Sequence, residues 1–453
     1  MTTPFVSVII VNYNGAHFLT NCLNSLRAQS YPENCFEVIV SDNGSTDDSL
    51  NLLQTQYSWV KVIVNQRNLG FASGNNVAIK RAQGQYLVLL NNDTAPTASW
   101  LESLVTLAEN NPKAGIITGH LQLFYDQLEL VIESETVTPI NDGRTLGIQV
   151  FEVDTGAKRG VVQYLDGFYG REYFGGEYFR WTKGRAIIGV PLPHDTNLQS
   201  IQFRLAASRP TNTPVHAQVL LGDEVLTGWE LLGSSPTIYT IDVPESKRGL
   251  ATPLVQNAGS VIFSSGAGRD RGTFVRGNEV FYETDYHQYD CVEEVFAACG
   301  ANMLIRRALL DDVGLFDDDF FMYYEDTEYG FRARMQTRYR TVYYPHYEIV
   351  HYHGKSSNDL KATLRSFRSA VYYFSKIKGR GRISFFVGAC KASWRFNLAV
   401  LSMIGLFLRS NKVADKVDTF KQLLSSARLL GKGKVESDYA EAEKIPATGC
   451  KSS

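Results

Sequence analysis

Two acidic signatures hold the side chains of this chain best suited to chemistry. One closes an apolar run, Leu89-Leu90-Asn91-Asn92-Asp93-Thr94; the other is Phe320-Phe321-Met322-Tyr323-Tyr324-Glu325-Asp326-Thr327-Glu328, which places Asp326 233 residues after Asp93. A carboxylate such as Asp93 at the end of a buried strand is a suitable ligand for a hard divalent cation, which prefers oxygen donors. A pair such as Glu325 and Asp326 can take a proton from a bound hydroxyl, or can simply favour the dipole at a helix start. Two histidines follow, in Ile349-Val350-His351-Tyr352-His353-Gly354-Lys355-Ser356. Imidazole is a common metal ligand, and equally a packed core or surface group.

The elements that must position these residues alternate in type. Continuous apolar, β-branched runs at 6–11, 36–40, 60–64, 86–90 and 114–118 read as strands buried on both faces, and helical patterns fall between them at 19–28, 49–54, 73–82 and 100–109. That alternation predicts an open α/β sheet with ligands bound beyond the strand C-termini. There the chain places short polar residues: Asn12-Tyr13-Asn14-Gly15 after the first strand and Ser41-Asp42-Asn43-Gly44-Ser45-Thr46-Asp47-Asp48 after the second. Both can hydrogen-bond a base and ribose, and both are also ordinary turn and N-cap chemistry. Neither G-x-G-x-x-G nor G-x-x-x-x-G-K-[ST] occurs, which argues against a dinucleotide dehydrogenase or a P-loop NTPase.

A third polar stretch, Asn65 to Asn76, contains Asn68, Gly70, Phe71, Gly74 and Asn75 and precedes the strand that delivers Asn91, Asn92 and Asp93. In that order, VSVIIVNYNG, SDNGSTDDS, NLGFASGNN and LLNNDT resemble the N-terminal half of a family 2 glycosyltransferase with the GT-A fold, a Rossmann-like nucleotide-diphospho-sugar transferase sheet. The resemblance makes Asn12, Tyr13, Asn14, Asp42, Asn43, the 68–76 loop, Asn91 and Asn92 a nucleotide-sugar site. It makes Asp93 the ligand to Mg²⁺ or Mn²⁺, with Asn91 standing where the family's Asp-x-Asp motif has its first acid. Such a cation neutralises charge developing on a departing diphosphate.

FAACGANMLIRRALLDDVGLFDDDFFMYYEDTEYGFRAR, over 296–334, resembles the second half of the same family. It implies an acceptor side at Gly300, Ala301 and Asn302 and a catalytic base at Asp326, with Glu325 the lesser choice. It also implies that His351, or His353 two residues on, completes the metal and diphosphate site. Lys355 and Ser356 are suitably placed to contact phosphate. The expected reaction is inverting transfer of a sugar, rhamnose being a frequent case in the family, to a glycan or lipid-linked acceptor in cell-surface polysaccharide synthesis. A nucleotidyltransferase would share the sheet and metal Asp but should carry a Gly-rich basic loop near the first strand. A non-catalytic glycan-binding or scaffold protein would lose the Asp93, Asp326 and His351 set.

Between the halves the helical period fades. Short β-prone segments at 146–153, 160–164, 186–190, 198–205, 215–221 and 237–243 predict an antiparallel β-sandwich inserted into the catalytic fold. The expected division is 1–127, first catalytic half; 128–253, insertion; 254–358, second half, beginning with a Gly-rich, loop-like 255–272; 359–431, a basic helical region; and a disordered 432–453. An aromatic cluster from Tyr164 to Trp181 is expected to form core in the insertion, because aromatics supply the largest buried areas; the alternative is a platform for an acceptor glycan or a patch for other enzymes.

With 453 residues the chain can build two or three domains, and 45 basic against 47 acidic residues give no global sign of a nucleic-acid partner. The balance is local: from Lys376 to Lys434 thirteen Lys or Arg face only Asp415 and Asp418. The uncharged run at 396–408 is short of the roughly twenty residues a spanning helix needs. Helices with basic flanks lying on an anionic membrane surface are therefore expected, or a solvated helical pair packed on the catalytic domain. Six cysteines without a C-x-x-C pair suit a reducing compartment, and the first residues show no secretory pattern. The expectation is a cytoplasmic protein peripheral to the inner face of the plasma membrane.

Overall fold

The computed structural model describes residues 3–352, apart from 157–159, 195–199, 210–212, 263–267 and 277–278, then 360–378, and beyond these only 395 and 421. The first half alternates as its apolar runs predict: β1 (Val6–Asn12), α1 (Ala16–Arg27), β2 (Phe36–Asp42), α2 (Ser49–Gln56), β3 (Lys61–Val64), α3 (Gly70–Ile79), β4 (Tyr86–Leu90), β5 (Thr94–Pro96) and α4 (Trp100–Asn110). Strands β3, β2, β1 and β4 lie parallel in that order. The chain adds strands on one side of β1 and then crosses to the other. The switch creates a crevice at the strand C-termini, where Asn12 and Asp42 lie in register.

Beyond β4 the sheet continues through Asn302–Arg306, antiparallel, then β6 (Ala114–Ser134) and the parallel strand Arg340–His351. The two halves of the chain thus share one sheet. On one face Val8 and Ile10 of the sheet pack with Leu19, Leu23, Trp100 and Leu104 of the helices; on the other Ile9, Leu87, Leu89 and Met303 pack with Phe320 and Tyr329. Burying each such aliphatic side chain contributes roughly 1.5–3 kcal/mol.

The strand expected at 114–118 instead runs for 21 residues, Ala114–Ser134. It crosses the expected boundary at 127–128 without a break, because it finds a partner along its whole length. Its first half pairs with Arg340–His351, its middle with Thr252–Asn257, and its end with both Glu177–Pro193 and Val215–Leu221. Two antiparallel ladders then share one core. Leu128, Leu130, Ile188, Val190 and Val219 face Ile148, Ile201, Phe203, Leu205 and Ile241.

Two further expectations change. The stretch 255–272, read as loop, holds the end of strand Thr252–Asn257 and the strands Ser260–Ile262 and Gly268–Asp270; Gly259, at φ 85, turns the chain between the first two, and the first strand pairs with β6. The aromatic cluster divides by position. Phe179 and Trp181 are buried with Leu146, Tyr164 and Phe168 pack at the margin of the larger core, and Phe174 is 80% exposed. Strands near 172–174 and 224–231 were not anticipated, since each is short or interrupted by glycine. Among the described residues no helix is long and apolar enough to cross a membrane. The 396–408 run, the basic region beyond 378 except residues 395 and 421, His353, Lys355 and Ser356 lie outside the described residues.

Candidate active site

Asn12, at the end of β1, is fully buried and donates to Asp42 Oδ2 at 2.8 Å, while Asn92 donates to its Oδ1 at 2.7 Å. Asp42 also accepts the N–H groups of Gly44 and Ser45 at 3.1 and 2.8 Å. These bonds fix the turn after β2. Asn14, in the left-handed region at φ 53, accepts the N–H of Thr46 at 2.7 Å, tying the first turn to the second. Tyr13 between them is 49% exposed.

The residues expected to hold a cation lie where β5 pairs with the end of the strand Arg340–His351. Nε2 of His351 lies 3.0 Å from Oδ1 of Asp93, and Asn91 Nδ2 stands 3.5 Å from the same nitrogen. The other ring nitrogen, Nδ1, is 2.7 Å from Oε1 of Gln256. With that oxygen as acceptor, Nδ1 carries the hydrogen and Nε2 turns a lone pair toward the carboxylate. Two acceptors 3.0 Å apart require a proton or a cation to reconcile them. Adjacent ligands of an octahedral cation with bonds of about 2.1 Å stand about 3.0 Å apart, so the pair fits Mg²⁺ or Mn²⁺. Among the described residues no group of three or more His, Cys, Asp or Glu forms a ligand set. Two protein ligands suit a cation that keeps water and takes substrate phosphates.

The carboxylate pair opens α6 (Glu325–Gln336), which follows α5 (Arg307–Val313). Tyr323 and Tyr324 before it both have positive φ, 72 and 66°. Two successive non-glycine residues in this region are strained, and such strain persists where surrounding structure imposes it. It turns the helix start so that Asp326 meets the segment 299–302. Asp326 Oδ2 accepts the N–H of Gly300 at 3.0 Å, and Oδ1 accepts from the backbone and hydroxyl of Thr327 at 2.6 and 3.1 Å. Burial raises its carboxyl above the ordinary range against these hydrogen bonds, and the charge of Asp270 adds to the rise. Glu325 is raised well above its usual range, by burial first and by Asp326 second, and its Oε2 has no partner among the described residues. Both carboxyls are thus raised, and of the two Asp326 has the three donors, which favour its charged form.

The halves meet at Gly70. Its φ is +81, and a Cβ there would stand 2.3 Å from the carbonyl oxygen of Phe321, so only glycine allows the approach. The same oxygen accepts the N–H of Phe71 at 2.6 Å. Asn76 reinforces the junction, donating to the Phe316 carbonyl and to Asp318 at 2.8 Å each and accepting the Phe316 N–H at 3.0 Å. Helix α7 (Leu360–Lys378) packs over this loop, with Lys376 bound to Asp317 and Glu328 and Tyr372 donating to Asp317 and Asp319.

Against this geometry the comparisons decide the family. Residues 7–152 match glycosyl transferase family 2, and residues 254–412 match glycosyl transferase family group 2. The chain belongs to the family 2 glycosyltransferases. It is similar to the glycosyltransferase AglE of Haloferax volcanii, 28% identical over 204 residues, 42% of this chain and 64% of that protein. It is similar also to the Escherichia coli UDP-Glc:alpha-D-GlcNAc-diphosphoundecaprenol beta-1,3-glucosyltransferase WfgD, 29% identical over 138 residues, 30% of this chain and 51% of that protein. The chain thus spans less than two thirds of these curated relatives. Among solved structures, the Pyrobaculum calidifontis mannosyltransferase PcManGT, in complex with GDP-Man and Mn²⁺, aligns at a TM-score of 0.42 and 13% identity over 95% of this chain and 88% of that one.

In this family 2 glycosyltransferase the residues singled out from sequence fall into two groups. Tyr13, Asn91, Asn92, Asp93, His351, Gly300 and Asp326 gather around the crevice. Others shape its walls from behind. Asn43 spends its amide on the Gly70 carbonyl and on Asn65, Asn75 donates to the Phe71 carbonyl, Asn68 accepts the Gly70 N–H, and Gly74 packs under Val11. The Phe71 ring lies against Gly300. Ala301 accepts the Asn91 N–H at 3.1 Å, and Asn302 points into the core, between Trp100 Nε1 and the Tyr347 hydroxyl. Sequence reasoning missed Gln256 and Thr327. Gln256 is a polar residue within the apolar Leu254–Val255 strand, and that interruption was the available signal.

Proposed function

We propose that this chain is an inverting, metal-dependent glycosyltransferase. It would move a sugar from a nucleotide-diphosphate donor to a glycan or lipid-linked acceptor in cell-surface polysaccharide synthesis. The carrying observation is the placing of Asp326, a buried carboxyl that accepts from three donors, one of them the N–H of Gly300.

Asp326 takes the proton of the acceptor hydroxyl, whose oxygen forms a bond to the anomeric carbon as the bond from that carbon to the diphosphate oxygen breaks. The diphosphate leaves with the electron pair. Asp93 and His351 would hold a divalent cation, and its charge would offset what develops on the leaving oxygens. Tyr13 offers a face to the base, and the Asn12–Asp42 turn shapes the ribose end. An acceptor carried on a lipid diphosphate, as WfgD's name describes, agrees with the basic C-terminal sequence and with a peripheral place on the inner membrane face. Rhamnose is one hexosyl group to include in a donor screen.

The test is release of nucleoside diphosphate from UDP-glucose, UDP-N-acetylglucosamine, GDP-mannose and dTDP-rhamnose, with Mg²⁺, Mn²⁺ or EDTA and an acceptor glycan. Turnover that needs both cation and acceptor is expected. Its absence with every donor would remove the transferase reading, and release of pyrophosphate from a nucleoside triphosphate would favour a nucleotidyltransferase instead.

A further inference from the structure

Between α5 and α6, from Gly314 to Tyr324, the chain forms neither helix nor strand, yet it must deliver Asp326 to the Gly300 N–H. One stripe of α7 covers this loop. Arg365, Ser369, Tyr372, Tyr373 and Lys376, at about 100° per residue, fall within an arc of about 100° and so face the same way. The Arg365 guanidinium lies 4.8 Å over the Phe321 ring, Tyr372 meets the Phe320 ring edge-on at 4.8 Å, and Tyr373 packs on Tyr324 with ring centroids 5.6 Å apart. Tyr372 also donates to Asp317 and Asp319 at 2.9 Å each, and Lys376 donates to Asp317 and Glu328.

Ser369 is the residue of this stripe that apolar packing does not explain, since it is polar and only 1% exposed. A serine within a helix commonly returns its hydroxyl to a carbonyl about one turn earlier, as Ser375 does to Tyr372 at 2.6 Å. Ser369 instead reaches across and donates to the Met322 carbonyl at 2.8 Å. That carbonyl shares a rigid peptide plane with the Tyr323 nitrogen, so the bond orients the plane from which φ of Tyr323 is set. Tyr323 and Tyr324 stand at φ 72 and 66°, where a Cβ is unfavourable. On the far side of the pair, the Tyr324 carbonyl accepts the Glu328 N–H at 2.8 Å, and the buried Glu328 carboxylate is held by Lys376 at 2.9 Å. Helix α7 thus grips the chain on both sides of the left-handed pair.

We propose that Ser369 and Lys376 are positioning residues, through which α7 imposes the left-handed backbone at Tyr323 and Tyr324 and so sets Asp326 against Gly300. This rests on the transferase reading above, in which Asp326 is the base. Strained backbone relaxes unless its surroundings hold it. Relaxation of either tyrosine toward the extended region would rotate the start of α6 and carry the Asp326 carboxylate away from the Gly300 N–H.

Steady-state kinetics on the full chain, with the donor, cation and acceptor that give turnover in the screen above, test this. Ser369→Ala should lower kcat about three- to tenfold, the reach of one hydrogen bond, and leave donor and acceptor KM within about twofold. Ser369→Thr keeps the hydroxyl and should recover most of the loss. Lys376→Met should act in the same direction, with recovery in Lys376→Arg. Glycine adopts positive φ without support. In a double-mutant cycle, Tyr323→Gly should therefore shrink the Ser369→Ala effect on kcat to within about twofold, whatever Tyr323→Gly does alone; Tyr323→Asn, which also tolerates this backbone, repeats the cycle with a side chain in place. Denaturant unfolding confirms that each variant is folded under assay conditions. A helix that only supported the fold would lower stability without lowering kcat, and relief at Tyr323 would restore nothing. Wild-type kcat in both Ser369→Ala and Lys376→Met, or an equal Ser369→Ala effect with and without the Tyr323 substitutions, overturns the proposal. Where neither Tyr323 variant turns over, Ser369→Thr decides: recovery supports the proposal and its failure overturns it. A wild-type chain without turnover on any donor overturns the transferase reading itself, and the positioning role with it.

Discussion

The backbone N–H of Gly300 donates to Oδ2 of Asp326 at 3.0 Å, and the carbonyl of the next residue, Ala301, accepts the N–H of Asn91 at 3.1 Å. Two consecutive residues therefore bond to the segment bearing the base and to the segment bearing the metal motif. Asn302 anchors them from below, buried between Trp100 and Tyr347. The spacing between Asp326 and the Asn91–Asp93 segment is set by this turn, which leads into the strand Asn302–Arg306, although its partners come from opposite ends of the catalytic sequence.

Asp326→Asn should retain nucleotide binding and lose transfer by about 10²–10⁴-fold, the usual contribution of a positioned base. Glu325→Gln puts a neutral amide where burial already favours the neutral form, and should cost far less. Steady-state rates with donor binding by calorimetry separate the two. If Glu325→Gln abolished transfer while Asp326→Asn spared it, the roles would be reversed.

The same carboxyl sets an acid limb. Burial first, and then the Asp270 charge, raise Asp326 above the ordinary aspartate range against the opposing N–H groups. The base works deprotonated, so kcat/KM falls as pH drops through this raised value and is fully present above it. A profile from about pH 4 to about pH 9 should place the limb above that of a solvated aspartate. A limb at or below the ordinary value would contradict the desolvated base.

Much of this was legible in the sequence. The apolar runs at 6–11, 36–40 and 86–90 gave strands because a strand buried on both faces needs an unbroken apolar string, and the polar residues that end them had to reach the crevice. The continuation of β6 to Ser134 was not legible, because its residues gain strand character from four successive partners distant in sequence. The roles of Asn43, Asn75 and Asn302 were hidden for a related reason. An asparagine that binds a ligand and one that ties down a loop carry the same side chain, and only packing distinguishes them.

Gln256→Leu should weaken Mn²⁺ activation by about 10–100-fold, the range seen when the hydrogen bond behind a ligating histidine is removed. The reason is tautomeric: without Oε1 at 2.7 Å, nothing holds the hydrogen on Nδ1 and the Nε2 lone pair toward Asp93. Gln256→Glu restores an acceptor and should recover most of the loss. Mn²⁺ titrations of turnover, with direct binding of Mn²⁺ in the presence of nucleoside diphosphate, read both. Equal activation in wild type and Gln256→Leu would place the cation elsewhere.

Asn76→Ala tests whether the two halves are held together at α3. Its amide makes three buried hydrogen bonds, two to Phe316 and one to Asp318, and truncation leaves the Phe316 N–H and carbonyl unsatisfied. A cost of about 2–4 kcal/mol in denaturant unfolding is expected.

Gly70→Ala strikes the same junction where it touches the site. The left-handed backbone alone costs an alanine about 1–2 kcal/mol, and a methyl 2.3 Å from the Phe321 oxygen must displace that carbonyl. Because the Phe321 carbonyl also holds Phe71, and Phe71 packs on Gly300, the displacement reaches the N–H that serves Asp326. The variant should therefore lose kcat as well as donor affinity, while Asn76→Ala, more remote from Gly300, should lose mainly stability. Kinetics and unfolding measured on both variants distinguish the two effects. A Gly70→Ala enzyme with wild-type kcat would show that the contact between the donor loop and the base loop carries no catalytic geometry.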